Sequence, residues 1–199
     1  MKVLGIDPGF RSLGLALVAI EGSSRRLLKH LTVHTAASLP FETRLDELAK
    51  ETLEFLTDAE LVGLEDQGDA WHGNEERGTT DANARKVQEV LGMLRGLVIS
   101  CGKPRVVLRS QTIRAMLGIK GKGKDPIGAM VRHMVEGVPA PGRISLHAVD
   151  AIAHAIVAEK KHHASLLVQW QIPGTEKPKR QRVRSYRSVK AARAAGALP

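Results

Sequence analysis

The chain has 199 residues, of which 43% are hydrophobic, and this suits a single domain with a substantial core. No apolar run approaches the roughly 20 residues needed to cross a bilayer, and the first residues lack the charged-then-apolar pattern of a secretory leader, so we expect no membrane association. The single cysteine, Cys101, excludes an intramolecular disulfide. Because its neighbours are apolar, we expect an inert core thiol in a cytoplasmic protein.

The positive charge of the chain is concentrated near its end. The net charge is +9 and the pI is about 10.0, which favours a polyanionic partner. From residue 174 to residue 199, eight lysines and arginines stand against one acid, so this stretch carries +7 of the +9. It is also poor in large apolar residues. We therefore predict a folded domain over residues 1–165 and a basic, flexible tail over residues 166–199.

The first 35 residues are predicted to form three strands. The first strand begins near Val3 and ends in Asp7, which a Pro-Gly turn follows. Residues 13–20 are the predicted return strand of a hairpin, which places the Asp7 carboxylate between strands of a central sheet. A buried charge is costly without a partner, and a divalent metal ion is one such partner. A turn in which Asp7 caps its own backbone is the alternative.

The rest of the domain alternates between predicted helices and strands. Helices are predicted at residues 41–57, 82–100, from 125 to about 136, and 145–162, and strands at residues 61–65 and 105–108. Leu53 belongs to the predicted inward stripe of the first helix, together with Leu45, Leu48, Ala49 and Leu56. Three strands followed by alternating helices and strands predict an α/β fold, a mixed five-stranded sheet flanked by helices.

Two later segments carry residues that could share a site with Asp7. The strand at residues 61–65 ends in Glu65. His147 and Asp150 stand three residues apart in the last helix, so they share one helix face. His154 lies on the same face about two turns further along, and we expect it to pack or to support the site rather than to bind a ligand.

Four strings in order resemble one known family. GIDPGFRSLG, LEDQ, GIKGKGKDPIGAMV and HAVDAIAHA are similar to the motifs of the RuvC Holliday-junction resolvases, at roughly the spacing of that family. The resemblance covers about residues 1–160. It implies a ribonuclease H-like fold and a metal-dependent nuclease that uses two Mg²⁺ ions in each active site, with Mn²⁺ as a substitute.

The resemblance also implies roles for the four candidate site residues. Asp7 would bridge the two ions, Glu65 would bind one of them and Asp150 the other. His147 stands where many relatives carry an aspartate, and some carry histidine. Imidazole is softer than carboxylate and favours Mn²⁺, although His147 could instead orient or deprotonate the attacking water. A histidine that only caps the helix is the remaining alternative.

Candidate DNA contacts lie in two loops. Lys120, Lys122 and Lys124 precede a helix start, where ammonium groups and backbone amides suit phosphate contact. An ordinary solvated loop is the alternative, but the resemblance places this segment in the DNA-binding region of the family, with Arg114 as a further candidate. Trp71, in the polar loop after the fourth strand, is the candidate for the side chain that relatives wedge into a junction. A tryptophan folded back on the domain is its alternative.

The resemblance therefore predicts an endonuclease that resolves four-way DNA junctions by paired symmetric nicks. It implies a homodimer, with Met93, Leu94 and Leu97 of the second helix as interface candidates, and branch-migration motor proteins as partners. A related nuclease acting on RNA, such as a YqgF-type enzyme, or on other branched DNA is one alternative. A protein that binds junctions without cutting is another. A sugar-kinase or actin-like nucleotide-binding half would need a second lobe, for which the chain leaves no room.

Overall fold

The computed structural model of the chain describes residues 1–65, 81–119 and 125–170. Contacts divide the chain into two units, Met1–Leu166 and Leu167–Pro199, and all five strands described below belong to the first. Most of the basic tail lies outside the described residues, so the domain boundary at residue 165 stays a prediction.

The first unit is built on a mixed sheet. Its strands are β1 (Lys2–Asp7), β2 (Ser12–Glu21), β3 (Ser24–His34), β4 (Leu61–Glu65) and β5 (Arg105–Leu108). Its helices are α1 (Phe41–Asp58), α2 (Asp81–Ser100), α3 (Ser110–Met116) and α4 (Asp125–Met134), together with residues 146–166 of α5, a helix that spans Leu146–Trp170. The strand order is β3-β2-β1-β4-β5. The first three strands pair antiparallel, whereas β4 runs parallel to both β1 and β5. The predicted mixed five-stranded sheet is confirmed.

Alternate residues of the central strands face two different helical layers. Leu4 and Ile6 are fully buried among side chains of α1 and α2. Val3 faces the opposite way and packs in a second cluster with side chains of α3, α4 and α5. This alternation follows from the two-residue period of a strand, and a strand buried on both faces is apolar throughout.

Helix α5 lies directly on the sheet because three glycines leave no side chain between them. Each glycine faces a backbone carbonyl oxygen of α5. A Cβ added at Gly5 would lie 1.8 Å from the carbonyl oxygen of Ala151. The corresponding distance is 2.1 Å from Gly14 to the oxygen of His147 and 2.6 Å from Gly63 to the oxygen of His154. Heavy atoms cannot pack that closely, so any larger residue at these positions would push α5 off the sheet.

Helices α1 and α5 differ from the sequence prediction in one respect each. Leu53 is 41% exposed instead of facing inward, because the buried face of α1 is centred on Thr52 and Phe55. Thr52 tolerates burial because its hydroxyl donates to the carbonyl of Leu48 at 2.7 Å. Helix α5 continues to Trp170, beyond the predicted end at residue 162, because no proline or glycine interrupts it before Pro173.

The prediction of a core thiol was wrong. Cys101 is exposed, since it lies just after the last residue of α2, where the chain turns at Gly102 with φ +64°. Its apolar neighbours in the sequence belong to the buried face of α2 and do not enclose it. In the part of the chain that the structure describes, no helix is both long enough and apolar enough to span a membrane.

Candidate active site and metal centre

Two acidic residues meet at one edge of the sheet. Strands β1 and β4 are parallel neighbours with Ile6 opposite Leu64. Asp7 and Glu65 are the next residues of these strands, so both carboxylates leave the sheet at the same edge. Each side chain is 12% exposed. Two carboxylates held side by side with little access to water repel each other, and this favours a cation between or beside them.

His147 approaches Asp7 from the start of α5. Its Nδ1 lies 2.7 Å from Oδ2 of Asp7 and, because a carboxylate oxygen accepts, Nδ1 is the donor. The His147 side chain is 40% exposed, so solvent reaches the imidazole. Because Nδ1 carries the hydrogen, Nε2 of a neutral ring has the lone pair that a metal ligand needs.

A cleft of about 290 Å³ adjoins this edge of the sheet. Its polar lining comes from β1, β4, α3 and α5 and consists of Asp7, Glu65, Ser110, Arg114, Asp150 and His154. Asp150, on α5, thus lines the same cavity as the two strand-end carboxylates. The structure brings together the four residues predicted as a site, three of them on the cleft and His147 in contact with Asp7.

Glu65 sits in an environment that disfavours its charge. Burial raises the pKa of its carboxyl above the ordinary value of 4.5, and the neighbouring charge of Asp7 acts in the same direction. His154 and a hydrogen bond from the hydroxyl of Ser110 partly oppose that rise in pKa. A divalent cation bound here would favour the ionised carboxylate and would therefore act to lower the pKa of Glu65.

We expect Glu65→Gln to stabilise the metal-free protein at neutral pH. Because the folded-state pKa is raised, protonated Glu65 favours folding below about 4.5, and this contribution is lost as the pH rises through the raised pKa. Glutamine has a neutral amide, so its burial does not carry the cost of burying a charged carboxylate. Thermal unfolding of both proteins in EDTA between about pH 4 and pH 8 checks this, and the difference in Tm should grow with pH. A Tm difference independent of pH would contradict the account.

His154 is a member of the cluster that sequence reasoning assigned to packing or support. It is 2% exposed, and its Nδ1 lies 2.8 Å from the carbonyl oxygen of Ile6. Its Nε2 lies 3.7 Å from Oε2 of Glu65. Asp7, Glu65 and His154 each offer one possible ligand atom, and these three atoms lie within 4.8 Å of one another.

The donor set fits a divalent cation. Carboxylate oxygens suit Mg²⁺ and Mn²⁺, and an imidazole nitrogen suits the transition metals among them. A structural zinc site would instead use mainly cysteine and histidine, and the cysteine of this chain lies outside the cluster. The arrangement can therefore bind a hard or borderline divalent ion next to the cleft.

A buried arginine holds the turn that follows Asp7. Arg44 of α1 is 5% exposed, and its guanidinium donates to the carbonyl of Phe10 at 2.6 Å and to the hydroxyl of Thr35 at 2.8 Å. The Thr35 hydroxyl donates to the same carbonyl at 2.9 Å. Charge-assisted hydrogen bonds of this kind fix the turn and hence the position of Asp7. Sequence reasoning missed this residue, because an arginine in an amphipathic helix is expected to face solvent.

Comparisons with known proteins agree with this geometry. The family model described as crossover junction endodeoxyribonuclease RuvC matches residues 3–158. This chain belongs to the RuvC family. The RuvC of Thermus thermophilus is 30% identical over 166 residues, which cover 79% of this chain and 95% of the relative. The RuvC of Paracoccus denitrificans is 30% identical over 161 residues, 78% of this chain and 90% of that protein.

Solved RuvC structures share the fold. The structure of Thermus thermophilus RuvC superposes with a TM-score of 0.67 at 28% identity, covering 83% of this chain and 97% of that one. A second structure of that protein, in complex with a Holliday junction substrate, gives a TM-score of 0.67 at 27% identity over 82% and 96% of the two chains. The predictions of a ribonuclease H-like fold and of a RuvC-type hydrolytic nuclease are confirmed. Membership in this nuclease family implies dependence on a divalent metal.

The predicted DNA contacts of this RuvC family member are only partly within the described residues. Arg114 lies on the cleft beside the site. Trp71, Lys120, Lys122 and Lys124 fall outside the part of the chain that the structure describes. Their roles remain predictions from the sequence.

Proposed function

We propose that this chain hydrolyses four-way DNA junctions by paired symmetric nicks, as a homodimer that binds two Mg²⁺ ions in each active site and leaves 5′-phosphate and 3′-hydroxyl ends. The convergence of Asp7, Glu65 and Asp150 on one cleft, in a chain of the RuvC family, carries the proposal. The Thermus thermophilus relative, whose structure was solved with a Holliday junction substrate, supports the choice of DNA. A cytoplasmic location and branch-migration motor proteins as partners are parts of the proposal that follow from the family resemblance.

Each acidic residue of the site would have its own role in holding the metal ions. Divalent ions, once bound, would supply an activated water and neutralise the charge that develops on the phosphate. Asp7, which is oriented by the hydrogen bond from His147, would be a ligand of both ions. Glu65, which accepts a hydrogen bond from Ser110, would hold one ion, and Asp150 would hold the other. The strands and α5 hold these carboxylates rigidly, so little reorganisation is needed when a phosphate arrives.

Basic side chains near the site would contact the DNA backbone. Arg114 lines the cleft next to the carboxylates and is placed to contact a phosphate. Lys120, Lys122 and Lys124, which precede α4 in the sequence, would add contacts, and Trp71 would stack at the branch point. The +7 tail would add contacts that do not depend on the shape of the DNA.

Helix α2 offers a surface for the proposed dimer. A Cβ added at Gly92 or Gly96 would meet no atom of the described residues within 4 Å, so a second helix could approach closely. Met93 and Leu97 are partly buried beside these glycines. Leu94, the third interface candidate from the sequence, is fully buried in the core of its own chain and is wrong as an interface residue.

Cleavage of labelled substrates tests the proposal directly. A four-way junction, a linear duplex and a structured RNA are each incubated with the protein and Mg²⁺ or Mn²⁺, with metal-free reactions as controls. We expect symmetric nicks on two strands of the junction and intact duplex and RNA. Cleavage of the RNA alone would favour the RNA nuclease, and junction binding without cleavage in either metal would favour the binding protein.

Deleting residues 174–199 should weaken binding to junction and duplex alike and flatten the salt dependence of both. Each lost phosphate contact removes about 0.9 from the slope of log K against log salt. Kd values measured at several salt concentrations check this, and a full-length variant with the eight basic residues of the tail changed to glutamine is the matched control. Equal affinity of the truncated protein for junction and duplex would place shape selectivity in the tail and contradict the expectation.

His147→Asp should remain active and should shift the metal preference toward Mg²⁺. Carboxylate is the harder ligand, so the ratio of rates in Mn²⁺ and Mg²⁺ should fall relative to the wild type. His147→Ala serves as the comparison and should lose most activity in either metal, because it removes both the candidate ligand and the hydrogen bond to Asp7. An alanine variant that cuts at the wild-type rate would restrict His147 to a structural role.

A further inference from the structure

We propose that Nε2 of His154 is an additional metal ligand, sharing a divalent ion with Asp7 and Glu65. The inference deepens the proposed function by adding a nitrogen donor to the carboxylate site. It concerns a residue whose position in the sequence predicted only packing or support. Three observations carry it: the tautomer of the ring, the position of Nε2, and the way in which α5 is fixed.

The hydrogen bond to Ile6 sets the tautomer of His154. A carbonyl oxygen only accepts, so Nδ1, at 2.8 Å from it, must carry the hydrogen. In the neutral ring Nε2 then has no hydrogen and presents its lone pair. A histidine that donates one ring N–H to a backbone carbonyl while the other nitrogen binds metal is a common arrangement, because the donated bond fixes the ring and raises its basicity.

The position of Nε2 suits a shared ion better than a direct hydrogen bond. Nε2 lies 3.7 Å from Oε2 of Glu65, which is longer than a hydrogen bond. Two ligand atoms that are each about 2.1 Å from one ion lie roughly 3 to 4 Å apart. The 3.7 Å separation falls in this range, and Asp7 places a third ligand atom within 4.8 Å of both.

The backbone leaves the ring little freedom to move. The carbonyl of His154 faces Gly63, where an added Cβ would stand only 2.6 Å away, so α5 is seated on β4 at this residue. The side chain is 3% exposed. A buried, hydrogen-bonded imidazole next to two carboxylates is positioned before any ion arrives, which is the property expected of a ligand.

Pulsed electron paramagnetic resonance of bound Mn²⁺ tests ligation without DNA. The measurement uses the His147→Asp variant, which removes the only other imidazole of the predicted site and leaves His154 intact. With Mn²⁺ below stoichiometric amounts, we expect coupling to a directly coordinated ¹⁴N. The double variant with His154→Asn, whose amide can still donate to Ile6, should lose this coupling and bind Mn²⁺ roughly tenfold more weakly in calorimetry.

The possible results distinguish a His154 that binds the metal ion from a His154 that only contacts Glu65. Bound Mn²⁺ without ¹⁴N coupling in His147→Asp would overturn the proposal and leave His154 as a partner of Glu65 only. Absence of Mn²⁺ binding would overturn it as well. A protein that shows the coupling and fails to cut any junction would support ligation by His154 and contradict the nuclease proposal, so the two fail separately.

Discussion

Asp7→Asn is expected to abolish junction cleavage, by at least about a hundredfold in rate, while junction affinity stays within a few-fold of the wild type. Asparagine keeps the size of the side chain and an oxygen that can accept from His147. It lacks the charge needed to hold two cations at the edge of the sheet. Single-turnover cleavage and a binding titration on the same labelled junction separate the two effects.

Asp46→Asn is the matched control. Asp46 is an exposed residue of α1, so this substitution makes the same change in charge outside the cleft. We expect cleavage close to that of the wild type. Near-normal cutting by Asp7→Asn under these conditions would remove Asp7 from the metal site, and with it the central ligand of the proposed mechanism.

Gly5→Ala should destabilise the protein by at least about 3 kcal/mol, a large fraction of the stability of an ordinary domain. The new methyl group would stand 1.8 Å from the carbonyl oxygen of Ala151, and that backbone cannot rotate away as a side chain could. Helix α5 would have to move off the sheet and carry its part of the site with it. Chemical denaturation measures the loss, and cleavage should fall in parallel.

Gly128→Ala provides the comparison for this prediction. Gly128 is also buried, but it lies in α4, where an added Cβ would meet the guanidinium of Arg132 at 3.0 Å. A flexible side-chain end can shift, and alanine favours helix over glycine by up to about 1 kcal/mol. We expect a change within about 1 kcal/mol of the wild type. Equal losses of stability for Gly5→Ala and Gly128→Ala would mean that the close packing of α5 on the sheet does not explain the effect of Gly5→Ala.

Much of the fold was predictable because its strongest signals are local. The strand ending in Asp7 and the strand ending in Glu65 were recognisable as short apolar runs, and each ended at the predicted residue. The buried positions of α2 followed the helical period, whereas α5 is buried at every residue from Ala151 to Glu159. Since parallel neighbours end at the same edge of a sheet, the meeting of the two carboxylates follows from the pairing of β1 with β4.

The remaining features depend on contacts between distant parts of the chain. The hydroxyl of Ser110 reaches Glu65 from α3, a helix that the sequence did not predict. Arg44 reaches the turn after Asp7 from another helix, and nothing in its neighbourhood in the sequence marks it as buried. His154 shares its helix face with His147, but only the register of α5 on β4 decides that its ring meets Glu65.

The close packing of α5 on Gly5, Gly14 and Gly63 also determines how the protein unfolds. The helix and strands β1, β2 and β4 touch backbone to backbone, so one layer cannot loosen while the other keeps its place. Amides around the site should therefore exchange with solvent mainly through global opening rather than local fraying. The catalytic centre and the fold then belong to one cooperative unit, and a partly unfolded molecule that still cuts DNA is not to be expected.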